Sequence, residues 1–162
     1  MLVGILSDTH DRVDAMAAGM ALLRDRGAEM FVHCGDVGGQ RVLDLLCGLK
    51  SVVVWGNSDF DQAGLSRYAA ALGIEGRGLL AEFEVDGKRI AVTHGHDRRL
   101  MDRIVGGGQH DYLLHGHTHV ARDERVGRVR IVNPGALCRT TKKTVALLDV
   151  RGDRVEHLIV AV

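Results

Sequence analysis

The amino-acid sequence alternates short apolar runs with segments in which apolar residues recur at helical spacing. A strand is predicted over residues 2–7, 30–34 and 51–55, and a helix after each, from Val13 to Gly27, around 42–46 and around 65–72. The predicted strands are rich in Val, Ile and Leu, as buried strands are. This alternation of strand and helix predicts an α/β domain.

Antiparallel pairing enters the predicted sheets in the second half of the chain. LLAEFEV and KRIAVT flank Asp86-Gly87, the two-residue signal of a type I′ hairpin. A helix from about Arg98 to Val105 leads to a strand over 111–115, and VRIVN, TVALLDV and RVEHLIVAV predict three more strands. The expected fold therefore combines parallel and antiparallel strand pairs.

Composition restricts the class of protein. A chain of 162 residues and 17.6 kDa suits one domain, spanning residues 1–162, with a sizeable core. Its hydrophobic fraction of 46% and charged fraction of 26% are those of a globular protein, which excludes a disordered or fibrous chain. The 21 basic and 21 acidic residues cancel, and aromatic residues make up only 4%, so long nucleic acid is not an expected partner.

The sequence also predicts where the protein resides. No apolar run approaches the roughly 18 residues needed to span a bilayer, and no secretory signal pattern follows Met1. We therefore expect a cytoplasmic protein without a membrane partner. Cys34, Cys47 and Cys138 are odd in number and lack CxxC spacing, which predicts reduced thiols. The oligomeric state, including a homo-oligomer, is left open.

Five predicted strands end in clusters of turn-forming and metal-ligating residues. The clusters are Ser7-Asp8-Thr9-His10, Gly35-Asp36, Gly56-Asn57-Ser58-Asp59, His94-Gly95-His96-Asp97 and Gly116-His117-Thr118-His119. Each alone is explained by turn or N-cap chemistry. Ligands bind at the carboxyl ends of strands in α/β sheets, so five such clusters are expected to converge on one site.

The donor atoms in these clusters favour a metal centre. Carboxylate, amide and imidazole groups without thiolate suit a divalent transition metal, manganese first, with nickel, iron, cobalt or zinc as alternatives. In extended backbone, residues i and i+2 point the same way, which predicts that Asp8 with His10, and His117 with His119, face one centre. The seven candidate ligands exceed the needs of one ion and suit two ions sharing a carboxylate: Asp8, His10, Asp36, Asn57, His94, His117 and His119.

The charge of such a centre indicates its substrate. Two divalent ions carry +4 and two carboxylates −2, so a charge of about +2 is left for an anionic phosphate ester and a hydroxide. A water between the two ions becomes acidic enough to attack phosphorus, while both ions hold the phosphate oxygens. Hydrolysis then needs no Ser or Cys nucleophile.

The clusters resemble a known family. In order they follow the pattern D-x-H, G-D, G-N, H and G-H-x-H of the calcineurin-like metallophosphoesterase superfamily. Asn133-Pro134-Gly135-Ala136 also resembles the N-P-G-S turn of its small members, and the chain is most similar to the YfcE-type phosphodiesterase branch. The resemblance implies a four-layer α/β/β/α sandwich of two mixed sheets, the metallophosphoesterase fold.

The resemblance also implies roles for individual residues. Asp36 would bridge two metal ions, one held by Asp8, His10 and His119, the other by Asn57, His94 and His117. Many members have G-N-H-[DE], whereas this chain has Ser58 in place of that histidine. Asp59 and His96 are candidate proton donors for the leaving group. For Asp59 the alternative is a turn-stabilising residue, and for His96 a phosphate contact or a supporting histidine.

Three functions are compatible with this pattern. The first is a metal-dependent phosphodiesterase that acts on small or nucleotide-like phosphodiesters. The second is a phosphomonoesterase, against which stand the short chain and Ser58. The third is a catalytically silent protein-binding scaffold of the same fold, as the retromer subunit is, although a scaffold has no need of seven metal ligands.

Overall fold

The computed structural model describes residues 1–162, which form eleven β-strands and four α-helices. The strands are β1 (Leu2–Leu6), β2 (Met30–His33), β3 (Ser51–Val53), β4 (Glu75–Gly76), β5 (Leu80–Val85), β6 (Lys88–Thr93), β7 (Tyr112–Leu114), β8 (Arg122–Val126), β9 (Val129–Asn133), β10 (Thr144–Asp149) and β11 (Arg154–Ile159). The helices are α1 (Val13–Asp25), α2 (Gln40–Asp44), α3 (Gln62–Ala71) and α4 (Arg98–Gly107).

The strands form two mixed sheets. One has six strands in the order β11-β10-β1-β2-β3-β4, and the other has five in the order β5-β6-β7-β9-β8. Strands β1 to β4 pair in parallel, as do β6, β7 and β9, whereas β5, β8, β10 and β11 pair antiparallel. The parallel strands run the same way in each sheet, so their carboxyl-terminal loops emerge along one edge.

The register brings these strand ends to the same level. Leu6 lies opposite His33 and His33 opposite Val53, at the ends of β1, β2 and β3. In the second sheet Val92 lies opposite Leu114 near the ends of β6 and β7. The five polar clusters therefore begin side by side within each sheet.

Alternation along the strands divides the core into three apolar regions. Val3 and Ile5 point between the two sheets with Val92, while Leu6 points to the other face and packs among residues of α1 to α3. A third region packs Ile104 of α4 against the outer face of the second sheet. Each fully buried aliphatic side chain contributes roughly 1.5–3 kcal/mol. The result is the expected four-layer α/β/β/α sandwich.

Capping residues set where α3 and α4 begin. Asp61 accepts a hydrogen bond from the Gly64 N–H at 2.9 Å, and Asp97 accepts one from the Leu100 N–H at 3.0 Å. Helix α4 thus starts directly after the cluster that contains His94 and His96. None of the four helices combines the length and the apolar character needed to cross a membrane.

The predicted elements are recovered with boundary shifts of a few residues, and two strands were missed. β4 has only two residues. β8 has the sequence RDERV and is almost wholly exposed at a sheet edge, so it carries no apolar alternation. Charged residues on an edge strand prevent pairing with other chains, which explains why this strand has no hydrophobic pattern.

Candidate metal centre

Four of the five clusters contribute to two groups of metal-ligating atoms, and the atoms of each group lie within 4.8 Å of one another. One group consists of Asp8, His10 and His119, and the other of Asp8, Asp36 and His94. Asp8 belongs to both groups. The loops after β1, β2, β6 and β7 therefore converge on one site, as the sequence predicts.

The Asp8 carboxylate is fully buried at the centre of this site. Its Oδ2 accepts hydrogen bonds from the Ser7 hydroxyl at 2.7 Å and from the His117 N–H at 3.0 Å. Its Oδ1 has no hydrogen-bond partner and lies 3.1 Å from His119 Nε2 and 4.0 Å from His94 Nε2. One oxygen is thus held by the protein, and the other is free to bind a ligand.

The Asp36 carboxylate lies between His10 and His94. His10 Nε2 is 3.5 Å from its Oδ2, and His94 Nε2 is 3.4 Å from its Oδ1. Ser58 donates to both oxygens, from its N–H at 2.8 Å and from its hydroxyl at 3.0 Å. Burial acts to raise the pKa of Asp36, but the nearby His94 ring and the hydrogen bonds from Ser58 outweigh it and hold that pKa far below its usual range. Asp36 is therefore ionised at neutral pH.

The His94 ring is oriented by a hydrogen bond at the nitrogen that faces away from the two carboxylates. Its Nδ1 donates to the Cys34 carbonyl at 2.8 Å, which leaves its Nε2 facing the two carboxylates. Burial lowers the pKa of His94, while Asp36 and Asp8 together raise it above the ordinary value. A backbone carbonyl that fixes the tautomer of a histidine is a common support for metal ligands.

His10 and His117 are present as neutral rings at pH 7. Burial lowers the pKa of both, and Arg139 adds to the lowering for His10. The His10 ring lies 5.8 Å from that of His119, and the His117 ring 5.2 Å from that of His94, between centroids. Neutral imidazole is the form that binds metals.

The loop that carries Asn57 packs against Asp36 through the residues on either side of Asn57. Its side chain is exposed and has no hydrogen bond to the protein, so the amide is free to act as a ligand. The preceding Gly56 packs so closely on the Asp36 carboxylate that a Cβ would collide with it. The following Ser58 is bonded to that carboxylate. The structure thus fixes the backbone of this loop against Asp36.

The buried atoms of the site fit divalent cations. Asp8 Oδ1, His10 Nε2 and His94 Nε2 are all buried and all lack a hydrogen-bond partner. Leaving such groups unsatisfied is costly, and native proteins rarely do so. A cation bound to these oxygen and nitrogen atoms satisfies them, and the absence of a nearby thiolate ligand agrees with a transition metal bound by imidazole and carboxylate.

The backbone at the site is left-handed, and the extended-strand explanation of the D-x-H and H-x-H spacing is wrong. Five of the seven candidate ligands have positive φ: Asp8 (54°), His10 (46°), Asp36 (54°), His117 (69°) and His119 (58°). Tight turns, not alternation along a strand, aim paired side chains at one point. Two cross-loop bonds hold these turns, from Asp8 N to Gly35 O at 3.0 Å and from His10 N to Asp36 O at 2.9 Å. Such strain persists where the surrounding structure enforces it.

The two candidate proton donors have different environments. Asp59 is 3% exposed, and its oxygens accept hydrogen bonds from the N–H groups of Gly38 at 3.0 Å and Gly56 at 2.8 Å. This arrangement favours the turn-stabilising alternative for Asp59. The His96 ring lies 5.5 Å from that of His94 and 6.2 Å from that of His117, and its Nδ1 has no partner. His96 therefore borders the metal ligands with a free nitrogen.

Sequence reasoning missed the residues that support the ligands. Ser7 bonds Asp8, Ser58 bonds Asp36 and the Cys34 carbonyl bonds His94. Each of these residues lies within two positions of a candidate ligand along the chain. For Ser7 and Ser58, the signal was a hydroxyl beside a strand-end carboxylate or amide. Nothing in the sequence marks a backbone carbonyl as a hydrogen-bond acceptor.

The fold and the site define a phosphoesterase. The model of the calcineurin-like phosphoesterase superfamily domain matches residues 1–153, and the chain belongs to this superfamily. Phosphodiesterase MJ0936 of Methanocaldococcus jannaschii is 27% identical over 166 residues, which cover 98% of this chain and 99% of the relative. The probable metallophosphoesterase MJ0623 of the same organism is 29% identical over 172 residues, which cover 100% and 82%.

Solved structures agree with this placement. The structure of a novel archaeal phosphodiesterase superposes with a TM-score of 0.91 at 25% identity, covering 98% of this chain and 99% of that one. The Escherichia coli phosphoesterase YfcE superposes with a TM-score of 0.70 at 20% identity, covering 99% and 100%. Vps29 of Entamoeba histolytica, solved with Zn²⁺, gives 0.67 at 19%, also covering 99% and 100%. The last two likenesses concern the fold.

Proposed function

We propose that this chain hydrolyses small or nucleotide-like phosphodiesters with two divalent transition-metal ions. The observation that carries the proposal is the set of buried, unpartnered ligand atoms on Asp8, His10 and His94 around two carboxylates. In the proposed centre Asp36 is shared between the two ions. One ion is held by Asp8, His10 and His119, and the other by Asn57, His94 and His117.

The bound ions would supply an acidified water and neutralise charge on the phosphate. The chain itself positions their ligands. Ser58 fixes both oxygens of Asp36, and the Cys34 carbonyl fixes the ring of His94. Mutation of such supporting groups typically costs 10–100-fold in metal affinity or activity.

The residues near the centre support direct hydrolysis without a covalent intermediate. The Cys34 thiol is fully buried, and burial together with the nearby Asp8 raises its pKa well above the ordinary value. It is therefore protonated and inaccessible. The Ser58 hydroxyl donates a hydrogen bond to the Asp36 carboxylate, whose lowered pKa makes it too weak a base to activate the hydroxyl for attack.

Two observations favour diesters over monoesters. The archaeal relatives that align over nearly all of this chain include proteins named as phosphodiesterases. In addition, Ser58 occupies the position at which many family members have a histidine, so a poor leaving group has no imidazole there to protonate it. For the proton we propose His96, whose Nδ1 is free, over Asp59, whose oxygens are already bonded.

A panel of metals and two chromogenic esters tests the proposal. Metal-free protein is loaded with Mn, Ni, Co, Fe, Zn or Mg and assayed on bis(p-nitrophenyl) phosphate and on p-nitrophenyl phosphate. We expect two ions per chain, manganese among the activating metals, and faster hydrolysis of the diester. Faster turnover of the monoester with every metal would establish a phosphomonoesterase. No turnover of either ester with any metal would favour the scaffold.

A further inference from the structure

A cavity of about 370 Å³ opens beside the candidate metal centre. Gly95 and Thr118, which line it, each lie between two histidines of the ligand clusters. The other wall comes from the first turns of α4 and the start of β8, which contribute Arg98, Asp102 and Arg122. Each of these two lining residues is covalently joined to a candidate ligand, so the cavity adjoins the candidate metal centre.

Three groups of the cavity wall donate hydrogen bonds or carry positive charge. Arg98 is exposed and has no ion-pair partner. Arg122 is bonded to Glu124 and leaves 37% of its side chain exposed. The Thr118 hydroxyl accepts a hydrogen bond from Asn133 Nδ2 at 3.1 Å, so its own proton is free to donate. Two guanidinium groups and a hydroxyl suit a phosphate group.

Two other groups accept hydrogen bonds. His115 is 2% exposed, and its Nδ1 donates to the Gly116 carbonyl at 3.0 Å. Its Nε2 is therefore a lone-pair acceptor, and it has no partner in the protein. Asp102, on α4, adds a carboxylate to the same lining. A bare anion leaves both acceptors unused, whereas a ligand with hydroxyl or amine groups beside its phosphate engages them.

We propose that this cavity binds a sugar phosphate that forms one side of the phosphodiester substrate. The inference rests on the proposed function and narrows its substrate class to diesters that carry a second phosphate, as a nucleoside bisphosphate ester does. A volume of about 370 Å³ lies within the range of small-molecule pockets and accommodates a group of nucleoside phosphate size. The second phosphate binds Arg98 and Arg122, and the sugar hydroxyls face Asp102 and His115.

A matched pair of substrates tests the subsite. The first is uridine 5′-(p-nitrophenyl phosphate), which keeps a free 2′-hydroxyl, and the second is the same compound with a phosphate at the 3′ position. We expect kcat/KM to be about tenfold or more higher for the second, because one charge-assisted hydrogen bond contributes roughly that factor. In Arg98→Gln and Arg122→Gln this ratio should fall toward one. The control, Arg99→Gln, removes a neighbouring arginine outside the cavity and should keep the wild-type ratio.

Equal kcat/KM for the two substrates in the wild type, or a ratio that neither variant changes, would overturn the subsite. A binding measurement separates this failure from failure of the proposed function. Metal-free protein is titrated calorimetrically with uridine 3′,5′-bisphosphate and with uridine. The bisphosphate should bind at least about tenfold more tightly, and the Arg98→Gln and Arg122→Gln variants should lose that difference. If no ester is hydrolysed with any metal, the proposed phosphodiesterase fails, while the calorimetry still decides whether the cavity recognises the phosphate.

Discussion

Ser58 binds both oxygens of Asp36, with its N–H 2.8 Å from Oδ1 and its hydroxyl 3.0 Å from Oδ2. A small residue thus stands where the superfamily pattern often has a histidine, and it supports, from its own loop, the carboxylate that we propose is shared by two ions. The replacement changes two properties together. It removes an imidazole from the proposed leaving-group side, and it adds a side-chain hydrogen bond to a candidate metal ligand.

Removing the Ser58 hydroxyl should weaken the centre without unfolding the chain. Ser58→Ala keeps the backbone N–H bond to Asp36 and loses the side-chain bond, so we expect a fall of about 10-fold in metal affinity or kcat. Calorimetric metal titration and steady-state kinetics measure the two quantities. Thr141→Ala, which removes an exposed hydroxyl elsewhere, is the control. Equal affinity and equal kcat in the two variants would contradict a supporting role for Ser58.

Loss of the Asp36 carboxylate should disrupt binding of both ions. In Asp36→Ala we expect fewer than two ions per chain and a loss of activity greater than about 100-fold, since a shared ligand does more than the groups that support it. Elemental analysis of saturated protein and diester kinetics provide the measurements. Asp25→Ala, at an exposed position near the end of α1, is the matched control. An Asp36→Ala protein that retains two ions and near wild-type turnover would refute the shared-carboxylate model.

The wild-type rate should depend steeply on the leaving group. With no imidazole at position 58 and His96 as the one proposed donor, esters with alkyl leaving groups should react more slowly than nitrophenyl esters, because full general acid catalysis typically contributes 10²–10⁴-fold. Ser58→His should flatten this dependence, and His96→Ala should steepen it further. The measurement is log kcat against leaving-group pKa across a graded ester series. A flat wild-type line that neither variant alters would show that proton donation is not limiting.

Asp59 should act on stability and leave the leaving-group dependence unchanged. Its buried carboxylate accepts two backbone N–H bonds from separate loops, and Asp59→Ala leaves both donors without a partner. We expect a loss of about 1–3 kcal/mol in the free energy of unfolding. Chemical denaturation of metal-free protein measures it. Unchanged stability combined with a steeper leaving-group dependence would instead make Asp59 the proton donor.

Buried His33 should make the metal-free protein less stable in mild acid. Burial lowers its pKa to about 3, and its two nitrogens are bonded to the Thr9 hydroxyl and the Gly35 N–H. The unfolded chain, with a histidine pKa of about 6.5, binds a proton that the folded protein does not. The contribution of His33 is therefore fully present above about pH 6.5 and is lost as pH falls toward about 3.

The expected slope is up to about 1.4 kcal/mol per pH unit for this one group. Denaturation of the metal-free protein between pH 7 and pH 5 measures it, with His33→Gln as the comparison, since glutamine does not titrate. The slope should be smaller in the variant. Parallel curves for the two proteins would show that His33 is not responsible.

Local signals in the sequence were sufficient for much of the fold. Asp86-Gly87 predicted the hairpin between β5 and β6, and both residues have the positive φ that such a turn requires, 49° and 74°. The strand-end clusters predicted a convergent site because parallel strands of one sheet end at one edge. Strand β8 was not predictable from its pattern, because an exposed edge strand needs no apolar alternation.

The backbone conformation inside the site was harder to predict from the sequence. The D-x-H and H-x-H spacings predicted that Asp8, His10, His117 and His119 are neighbours in space, and they are. The prediction assumed extended backbone, whereas all four residues have positive φ. Backbone conformation at single residues depends on contacts between loops, such as His10 N to Asp36 O. The same holds for the cavity beside the centre, where Arg98 and Arg122 are 24 positions apart in the sequence and line one cavity because α4 packs on the second sheet.

The left-handed backbone at Asp8, His10, Asp36, His117 and His119 has a consequence for protein engineering. A designer who copied these side chains onto regular strands or helices of another scaffold would reproduce the residue types and lose their directions, because neither element offers that conformation. A graft has to carry the loops with their glycines and cross-loop hydrogen bonds. In a library of variants selected only for folding, His10, His117 and His119 should accept glycine and asparagine readily, since both residues adopt positive φ at low cost.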